Sequence, residues 1–253
     1  MIRGVLLDLS GVLYVGNKAL PGANKALDKL TESGLPVRYV TNTTRKTSRV
    51  ILDQLSAMDF IIKPDELFTA PIAARTFLER ESLRPYLLIH PDLEEEFSDM
   101  NFQENVNAVL VGDAGKRFTY EKMNAAFRLI MDGARFLALG VNRYFSEGES
   151  LSLDVGPFVR ALEYASGINA KVLGKPSADF YMSAVESIGC DPSDVIMVGD
   201  DVESDVNGAL QAGLQAILVR TGKYTNADKE RIQAKGHCKA DLQEAVDYIL
   251  HQA

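Results

Sequence analysis

The chain has 253 residues, a formal net charge of −8 and a pI near 5.0, which argues against nucleic-acid binding because a phosphate backbone selects basic surfaces. This length exceeds the roughly 100 to 200 residues of one typical domain, so two domains are expected. Two cysteines make no disulfide framework, no apolar stretch approaches the ~20 residues that span a membrane, and no secretion signal is recognisable. We therefore expect a cytoplasmic protein that does not enter the membrane.

The first predicted element is a buried strand that ends on a carboxylate. An apolar run precedes Asp8, and such a run is typical of a strand covered by helices on both faces of a parallel sheet. Ligands of open α/β sheets bind just beyond the carboxyl ends of the strands, so Asp8 is a candidate site residue. The alternative is an aspartate that only caps a turn, which Gly11 allows to be tight.

A helix and a second strand follow and complete a βαβ unit. Apolar residues at helical spacing predict a helix that ends at Gly34, and residues 35–40 predict the strand. A right-handed crossover places the end of this strand at the same sheet edge as Asp8. Residues 41–44, Thr-Asn-Thr-Thr, then offer hydroxyl and amide groups at a helix N-terminus, either as an anion site or as an ordinary N-cap. Another helix is predicted to begin at residues 63–66 and to include Leu67.

The middle of the chain repeats the α/β pattern. Residues 86–89, 108–111 and 136–139 are short apolar runs, and residues 119–131 have helical spacing. These elements predict a separate domain at residues 83–170, between two halves of a first domain formed by residues 1–82 and 171–253.

Two further apolar runs end in charged residues in the last third of the chain. Val172 and Leu173 precede Gly-Lys175-Pro, and residues 195–198 precede Gly-Asp200-Asp201, with Asp205 four residues beyond. A lysine in a loop is usually solvated, and a carboxylate cluster without a cation repels itself. Asp200, Asp201 and Asp205 therefore offer several carboxylate oxygens just after one predicted strand.

These four stretches, at Asp8, at residues 41–44, at Lys175 and at Asp200, resemble in order and type the motifs of the haloacid dehalogenase (HAD) superfamily. The long insert resembles the NagD-type subfamily, which implies a Rossmann-like core with a parallel sheet and an inserted α/β cap. Three stretches, at residues 8–14, 84–90 and 153–157, are most similar to a subgroup associated with pyrophosphate and P–N bonds. Relatives often dimerise through the cap, so a homodimer is expected.

The resemblance implies a role for each motif residue in a Mg²⁺-dependent phosphatase. Asp8 becomes the nucleophile that forms an aspartyl-phosphate, and Lys175 pairs with it and with phosphoryl oxygens. The remaining implied roles are phosphoryl binding by Thr41 and Asn42, metal binding by Asp8, the Ser10 carbonyl and Asp200, and support of the metal site by Asp201 or Asp205. Asn142 and Arg143 occupy the place of a substrate-facing cap loop, and their alternative is an exposed loop.

Ser10 departs from the commoner family pattern, in which a second aspartate protonates the leaving group. A serine hydroxyl titrates far above neutrality and is a poor general acid. Pyrophosphate and phosphoramidates depend less on such an acid and are the favoured substrates. The alternatives are a phosphatase of small monoesters such as sugar phosphates, nucleotides or pyridoxal phosphate, a dehalogenase, which needs no metal, and a non-catalytic phosphate-binding scaffold.

Overall fold

The computed structural model describes residues 1–100, 105–147, 150–233 and 236–253, which form two compact units. The first unit contains Met1–Thr41, Arg49–Phe68 and Lys175–Ala253, and the second contains Asn42–Ser48 and Thr69–Gly174. The strands are β1 Gly4–Asp8, β2 Tyr14–Val15, β3 Lys18–Ala19, β4 Val37–Thr41, β5 Leu67–Thr69, β6 Pro85–Leu88, β7 Ala108–Val111, β8 Arg135–Ala138, β9 Tyr144–Glu147, β10 Ser150–Leu153, β11 Lys171–Val172, β12 Val195–Gly199, β13 Gln215–Val219 and β14 Gly236–Lys239.

The helices surround these strands, and short 3₁₀ turns precede several elements. The α-helices are α1 Ala23–Ser33, α2 Ser48–Ser56, α3 Ala70–Arg80, α4 Tyr120–Met131, α5 Gly156–Ser166, α6 Ala178–Glu186, α7 Gly208–Gln211, α8 Asp228–Arg231 and α9 Leu242–Gln252. A π-helical turn, Val202–Asn207, leads directly into α7. Among the described residues, no helix is both long and apolar enough to cross a membrane.

The first unit is built on a six-stranded sheet with the order β14-β13-β12-β1-β4-β5. Strand β1 lies in the middle and pairs in parallel with β12 and β4. Every residue of β1 and β12 is buried, as expected for apolar strands covered on both faces. Helices α1 and α9 contact each other and pack apolar residues against one face of the sheet.

The second unit has its own four-stranded parallel sheet, with the order β11-β8-β7-β6. Helix α3 packs on one face, where Ala74 and Phe77 share a cluster with Leu110 and Leu137. Helices α4 and α5 pack on the other face. The predicted α/β class with a parallel sheet and an additional α/β unit is confirmed.

One predicted helix begins later in the structure than the sequence indicates. Residues 63–66 do not start a helix, because Pro64–Glu66 forms a 3₁₀ turn and Leu67 lies in strand β5. The helix α3 begins only at Ala70, after Thr69, whose side chain accepts a hydrogen bond from the Ile72 amide at 3.2 Å. A buried strand of three residues is too short to show the alternation that is typical of strands. The helical spacing of α3 therefore led us to predict that the helix already includes Leu67.

The second unit is larger than the domain predicted at residues 83–170. It also includes α3 and the strand β11, which pairs with β8 rather than with the six-stranded sheet. The chain passes to the first unit between Gly174 and Lys175. The assignment of these units as HAD core and cap, with boundaries at residues 82 and 171, stays a prediction.

Candidate active site

Four charged residues predicted from separate stretches of sequence meet at the carboxyl edge of the six-stranded sheet. The Lys175 ammonium donates hydrogen bonds to Asp8 Oδ1 at 2.5 Å and to Asp205 Oδ1 at 2.6 Å. Carboxylate oxygens of Asp8, Asp200 and Asp205 lie within 4.8 Å of one another. All four side chains are buried, with residue exposures between 1% and 7%. This charged cluster is the candidate active site.

Strand pairing explains why Asp8 and Asp200 meet. Leu7 of β1 is level with Val198 of β12, so the chains leave the sheet together at Asp8 and at Asp200. On the other side of β1, Asp8 is level with Val40, and Thr41 ends β4 one residue further on. Parallel strands thus bring residues that are far apart in sequence to one edge of the sheet, where α/β proteins bind ligands.

The charge balance of the cluster favours a cation. Burial raises the pKa of Asp8 to about 7, against the attraction of Lys175 and with repulsion from Asp205 and Asp200. Burial also raises the pKa of Asp200 to about 6. Burial alone lowers the pKa of Lys175, but the Asp205 and Asp8 carboxylates outweigh it, so this pKa is raised and the ammonium stays charged. One ammonium therefore faces three carboxylates, which leaves an excess of negative charge.

Asp205 and Asp201 have different roles in the structure. Both oxygens of Asp205 are engaged, since Oδ1 accepts from Lys175 and Oδ2 accepts from the Asp201 amide at 3.2 Å. Asp201 caps the π-helical turn, where its Oδ1 accepts from the amides of Glu203 and Ser204. Asp205 therefore orients Lys175, and Asp201 stabilises the start of the helical segment that carries Asp205.

Ser10 lies in a turn that follows β1. It is exposed and forms an isolated bridge with Tyr14, and the neighbouring Gly11 amide donates to the Tyr14 carbonyl at 2.7 Å. Gly11 has a left-handed φ of 86°, which a glycine adopts without strain. The predicted tight turn is present, and no carboxylate stands at this position of the turn.

The predicted anion site at residues 41–44 is not at a helix N-terminus. Thr41 ends β4 and is buried, whereas α2 begins only at Ser48. The Ser48 amide donates to the Glu96 carboxylate, so the helix start already has an anionic partner. Asn42 belongs to the second unit, where its side-chain oxygen is 2.9 Å from the position that a Cβ on Gly174 would take. The close packing at Gly174 excludes any larger residue there.

The cap-loop candidates and Arg45 belong to the second unit. Asn142 and Arg143 are exposed, and their carbonyls accept from the Gly156 and Asp154 amides, at 2.9 and 3.3 Å. Their contact with substrate stays a prediction. Arg45 is half-buried and precedes helix α2 rather than lying on it. Its guanidinium donates to both carboxylate oxygens of the buried Asp113 and lies 4.4 Å from the Phe145 ring centroid.

Sequence reasoning missed the contribution of the turn after β13. The Lys223 amide donates to Asp200 Oδ2 at 2.6 Å, and the Lys223 ammonium lies 3.3 Å from Asp201 Oδ2. The Thr221 hydroxyl donates to the Gly11 carbonyl at 2.5 Å. The signal was available, because Thr-Gly-Lys follows a buried strand in the same manner as the other motifs.

Two family models match the chain. Residues 5–103 match a model described as haloacid dehalogenase-like hydrolase, and residues 172–245 match one described as HAD-hydrolase-like. The chain is 42% identical over 259 residues to phospholysine phosphohistidine inorganic pyrophosphate phosphatase of Homo sapiens, with 100% of this chain and 96% of that protein covered. It is 41% identical over 250 residues to the human haloacid dehalogenase-like hydrolase domain-containing protein 2, with 98% and 96% covered.

Solved structures have the same fold. The 4-nitrophenylphosphatase of Thermotoga maritima superposes with a TM-score of 0.88 at 27% identity, covering 98% of this chain and 97% of that one. NagD of Escherichia coli K-12 superposes with a TM-score of 0.86 at 25% identity, covering 96% and 98%. The similarity extends over nearly the full length of each chain.

Proposed function

The chain belongs to the haloacid dehalogenase-like hydrolases and is a phosphatase, and we propose that it works with Mg²⁺ through a covalent aspartyl-phosphate on Asp8. The observation that carries this proposal is the buried cluster in which Lys175 bridges Asp8 and Asp205 while Asp200 lies beside them. A non-catalytic scaffold and a dehalogenase are set aside, because the family relatives are phosphatases.

The donor set at the cluster fits Mg²⁺. Asp8 and Asp200 offer carboxylate oxygens, which are hard ligands, and the Ser10 carbonyl is the third ligand that the family resemblance implies. Burial, with added repulsion from neighbouring carboxylates, raises the pKa values of Asp8 and Asp200, and a divalent cation would favour their ionised forms. When bound, the cation lowers the repulsion between the carboxylate and an anionic phosphoryl group. We assign Asp205 to Lys175 rather than to the cation.

The residues of the chain supply the steps of the reaction. Asp8 attacks phosphorus, the bond from phosphorus to the leaving group breaks, and the leaving group takes the electron pair and a proton from solvent. The Lys175 ammonium stabilises the negative charge on the attacking carboxylate and on the phosphoryl oxygens. Thr41 and Asn42 bind those oxygens. Water then attacks the phosphorus of the acyl phosphate and releases phosphate and the Asp8 carboxylate.

We propose pyrophosphate or phosphoramidates as the favoured substrates. The exposed Ser10 supplies no acid to a poor leaving group, whereas phosphate and imidazole leave without one. The name of the 42% identical human phosphatase supports this class. The second candidate is a small phosphomonoester, favoured by the similarity to 4-nitrophenylphosphatase. In either case we assign contact with the distal part of the substrate to Asn142 and Arg143.

A phosphate-release screen with saturating Mg²⁺ tests the substrate class. Pyrophosphate, phosphohistidine and phospholysine should be hydrolysed faster than sugar phosphates, nucleotides and pyridoxal phosphate. Rapid acid quenching of the reaction should leave phosphate attached to the peptide that contains Asp8, detected by mass spectrometry. Faster turnover of the monoesters would contradict the proposed substrate class, and phosphate release without any phosphorylated peptide or Mg²⁺ requirement would contradict the mechanism.

A further inference from the structure

The turn formed by residues 221–223 closes over the Asp200 carboxylate from the neighbouring strand. Strands β12 and β13 are parallel, with Gly199 level with Leu218, so both chains leave the sheet at the same edge. The Lys223 amide then donates to Asp200 Oδ2 at 2.6 Å. This hydrogen bond comes from the backbone and holds one carboxylate oxygen in a fixed direction.

The same turn is joined to the loop after β1. The Thr221 hydroxyl donates to the Gly11 carbonyl at 2.5 Å, one residue after Ser10. The exposed Lys223 ammonium lies 3.3 Å from Asp201 Oδ2. The turn thus contacts two segments that are far apart in the chain, the loop after β1 and the residues Asp200 and Asp201 after β12.

Two glycines allow this close approach. Gly11 and Gly222 have φ values of 86° and 58°, in the left-handed region that favours glycine. A Cβ atom built on either residue would lie 2.0 Å from Asp200 Oδ2, well inside van der Waals contact. The carboxylate is therefore held between two backbone segments, and neither glycine accepts a side chain without displacing it.

We propose that the 221–223 turn is a positioning clamp for Asp200 that sets the affinity of the site for a divalent cation. The inference rests on the proposed function, since it assigns the cation to this cluster. A ligand that is already oriented loses less conformational freedom on binding the cation. Partners that orient metal ligands commonly contribute 10- to 100-fold in affinity. Thr221 and Lys223 act through Asp200 and the Gly11 loop and are positioning residues.

The first test is Gly222→Ala, whose methyl group displaces the Asp200 carboxylate. Its matched control is Gly189→Ala, because Gly189 also has a left-handed φ, 65°, but no heavy atom within 4 Å of an added Cβ. Mg²⁺ affinity is measured by calorimetry on the substrate-free protein at pH 8, together with the Mg²⁺ dependence of turnover. We expect the dissociation constant of Gly222→Ala to rise at least about tenfold, and that of the control to stay within about twofold.

A second pair of variants decides the question if Gly222→Ala does not fold. Thr221→Val removes the hydroxyl at nearly constant volume, and Thr221→Ser keeps it. We expect Thr221→Val to weaken Mg²⁺ binding by about threefold to tenfold and to raise the Mg²⁺ concentration needed for half-maximal turnover, whereas Thr221→Ser restores both. A folded Thr221→Val that binds Mg²⁺ like the wild type overturns the clamp. Absence of Mg²⁺ binding in the wild-type protein would instead overturn the proposed function.

Discussion

At the residue scale, the cluster depends on the pairing of one buried ammonium with two carboxylates. Lys175 is fully surrounded by protein and bonds to Asp8 and Asp205, so removal of one partner leaves a buried charge uncompensated. Asp8 and Asp200 could be predicted from sequence, because each follows an apolar run that forms a strand of the six-stranded sheet. Lys175 follows β11 of the other sheet and Asp205 lies in the π-helical turn, so these two were identified from the family resemblance. Their hydrogen-bond partners could not, since these come from residues 30 to 167 positions away.

The first prediction concerns Asp8→Asn. The amide is nearly isosteric with the carboxylate but is not an anionic nucleophile, so phosphate release should fall below about a hundredth of the wild-type rate, which is at least ~2.7 kcal/mol of barrier. Circular dichroism should show a folded protein. The control Asp113→Asn changes a buried aspartate of the second unit that is paired with Arg45. Turnover by a folded Asp8→Asn above about a hundredth of the wild-type rate would argue against covalent attack.

The second prediction concerns Ser10→Asp. If the missing acid limits the enzyme, an aspartate should raise turnover of esters with poor alkoxide leaving groups, for which general acid catalysis contributes ~10² to 10⁴-fold. Activated leaving groups should gain much less. The measurement is the ratio of sugar-phosphate turnover to p-nitrophenyl phosphate turnover in both proteins, and Ser10→Asn is the uncharged control. An unchanged ratio in a folded, Mg²⁺-binding variant would show that another step limits the substrate range.

At the element scale, the sequence predicted the apolar strands β1, β4 and β12 and the helices α1 and α4. It missed the short buried strand β5 and boundaries that depend on contacts across the fold. Helix α2 begins four residues after Thr44, where Glu96 supplies the anionic partner of the Ser48 amide. The pair of Arg45 and Asp113 likewise joins positions 68 residues apart. Periodicity reports the burial of an element, whereas such partners are set by the tertiary structure.

The π-helical turn that carries Asp205 is held by a tyrosine on a neighbouring helix. Tyr181 of α6 is buried, and its hydroxyl donates to the Ser204 carbonyl and, at 3.2 Å, to the Asp205 carbonyl. π-helical turns leave the ordinary helical hydrogen-bond pattern and are frequent at functional sites. The hydroxyl therefore provides a hydrogen-bond donor for two carbonyls of the turn that carries Asp205, the partner of Lys175.

The third prediction is that Tyr181→Phe destabilises the protein and weakens catalysis. Loss of the hydroxyl leaves buried carbonyls without this donor, which should lower the free energy of unfolding by about 1 to 3 kcal/mol. The Asp205–Lys175 contact loosens, so kcat should fall severalfold while KM changes little. Urea unfolding and steady-state kinetics measure both effects, with the exposed Tyr164→Phe as control. Unchanged stability and unchanged kcat would mean that the hydroxyl does not hold the turn.

At the scale of the whole molecule, folding brings the carboxylates of Asp8, Asp200 and Asp205 together. Lys175 is the one cation bonded to this cluster among the interactions described above, so a bound cation would offset the remaining negative charge. The raised pKa values of Asp8 and Asp200, about 7 and about 6, mean that the folded metal-free protein keeps protons that the unfolded chain has lost. When a carboxyl group has a higher pKa in the folded than in the unfolded protein, the free energy of unfolding falls as the pH rises from the unfolded-state pKa to the folded-state pKa. Lys175 has a raised pKa and stays charged below pH 10, so it adds no pH dependence in this window.

The last prediction follows from the direction of this pH dependence of stability. In EDTA, the melting temperature should fall as the pH rises from about 5 to 8, because folding then opposes ionisation of two buried carboxyl groups. With saturating Mg²⁺ the fall should be smaller or absent, since the cation binds the ionised groups, and Mg²⁺ affinity should rise at least about tenfold between pH 6 and 8 as protons are released. The double variant Asp8→Asn, Asp200→Asn should lose both the fall and the Mg²⁺ effect, because it lacks both titrating groups. A metal-free melting temperature that rises over this range, or an affinity for Mg²⁺ that is independent of pH, would contradict the charge balance derived for the site.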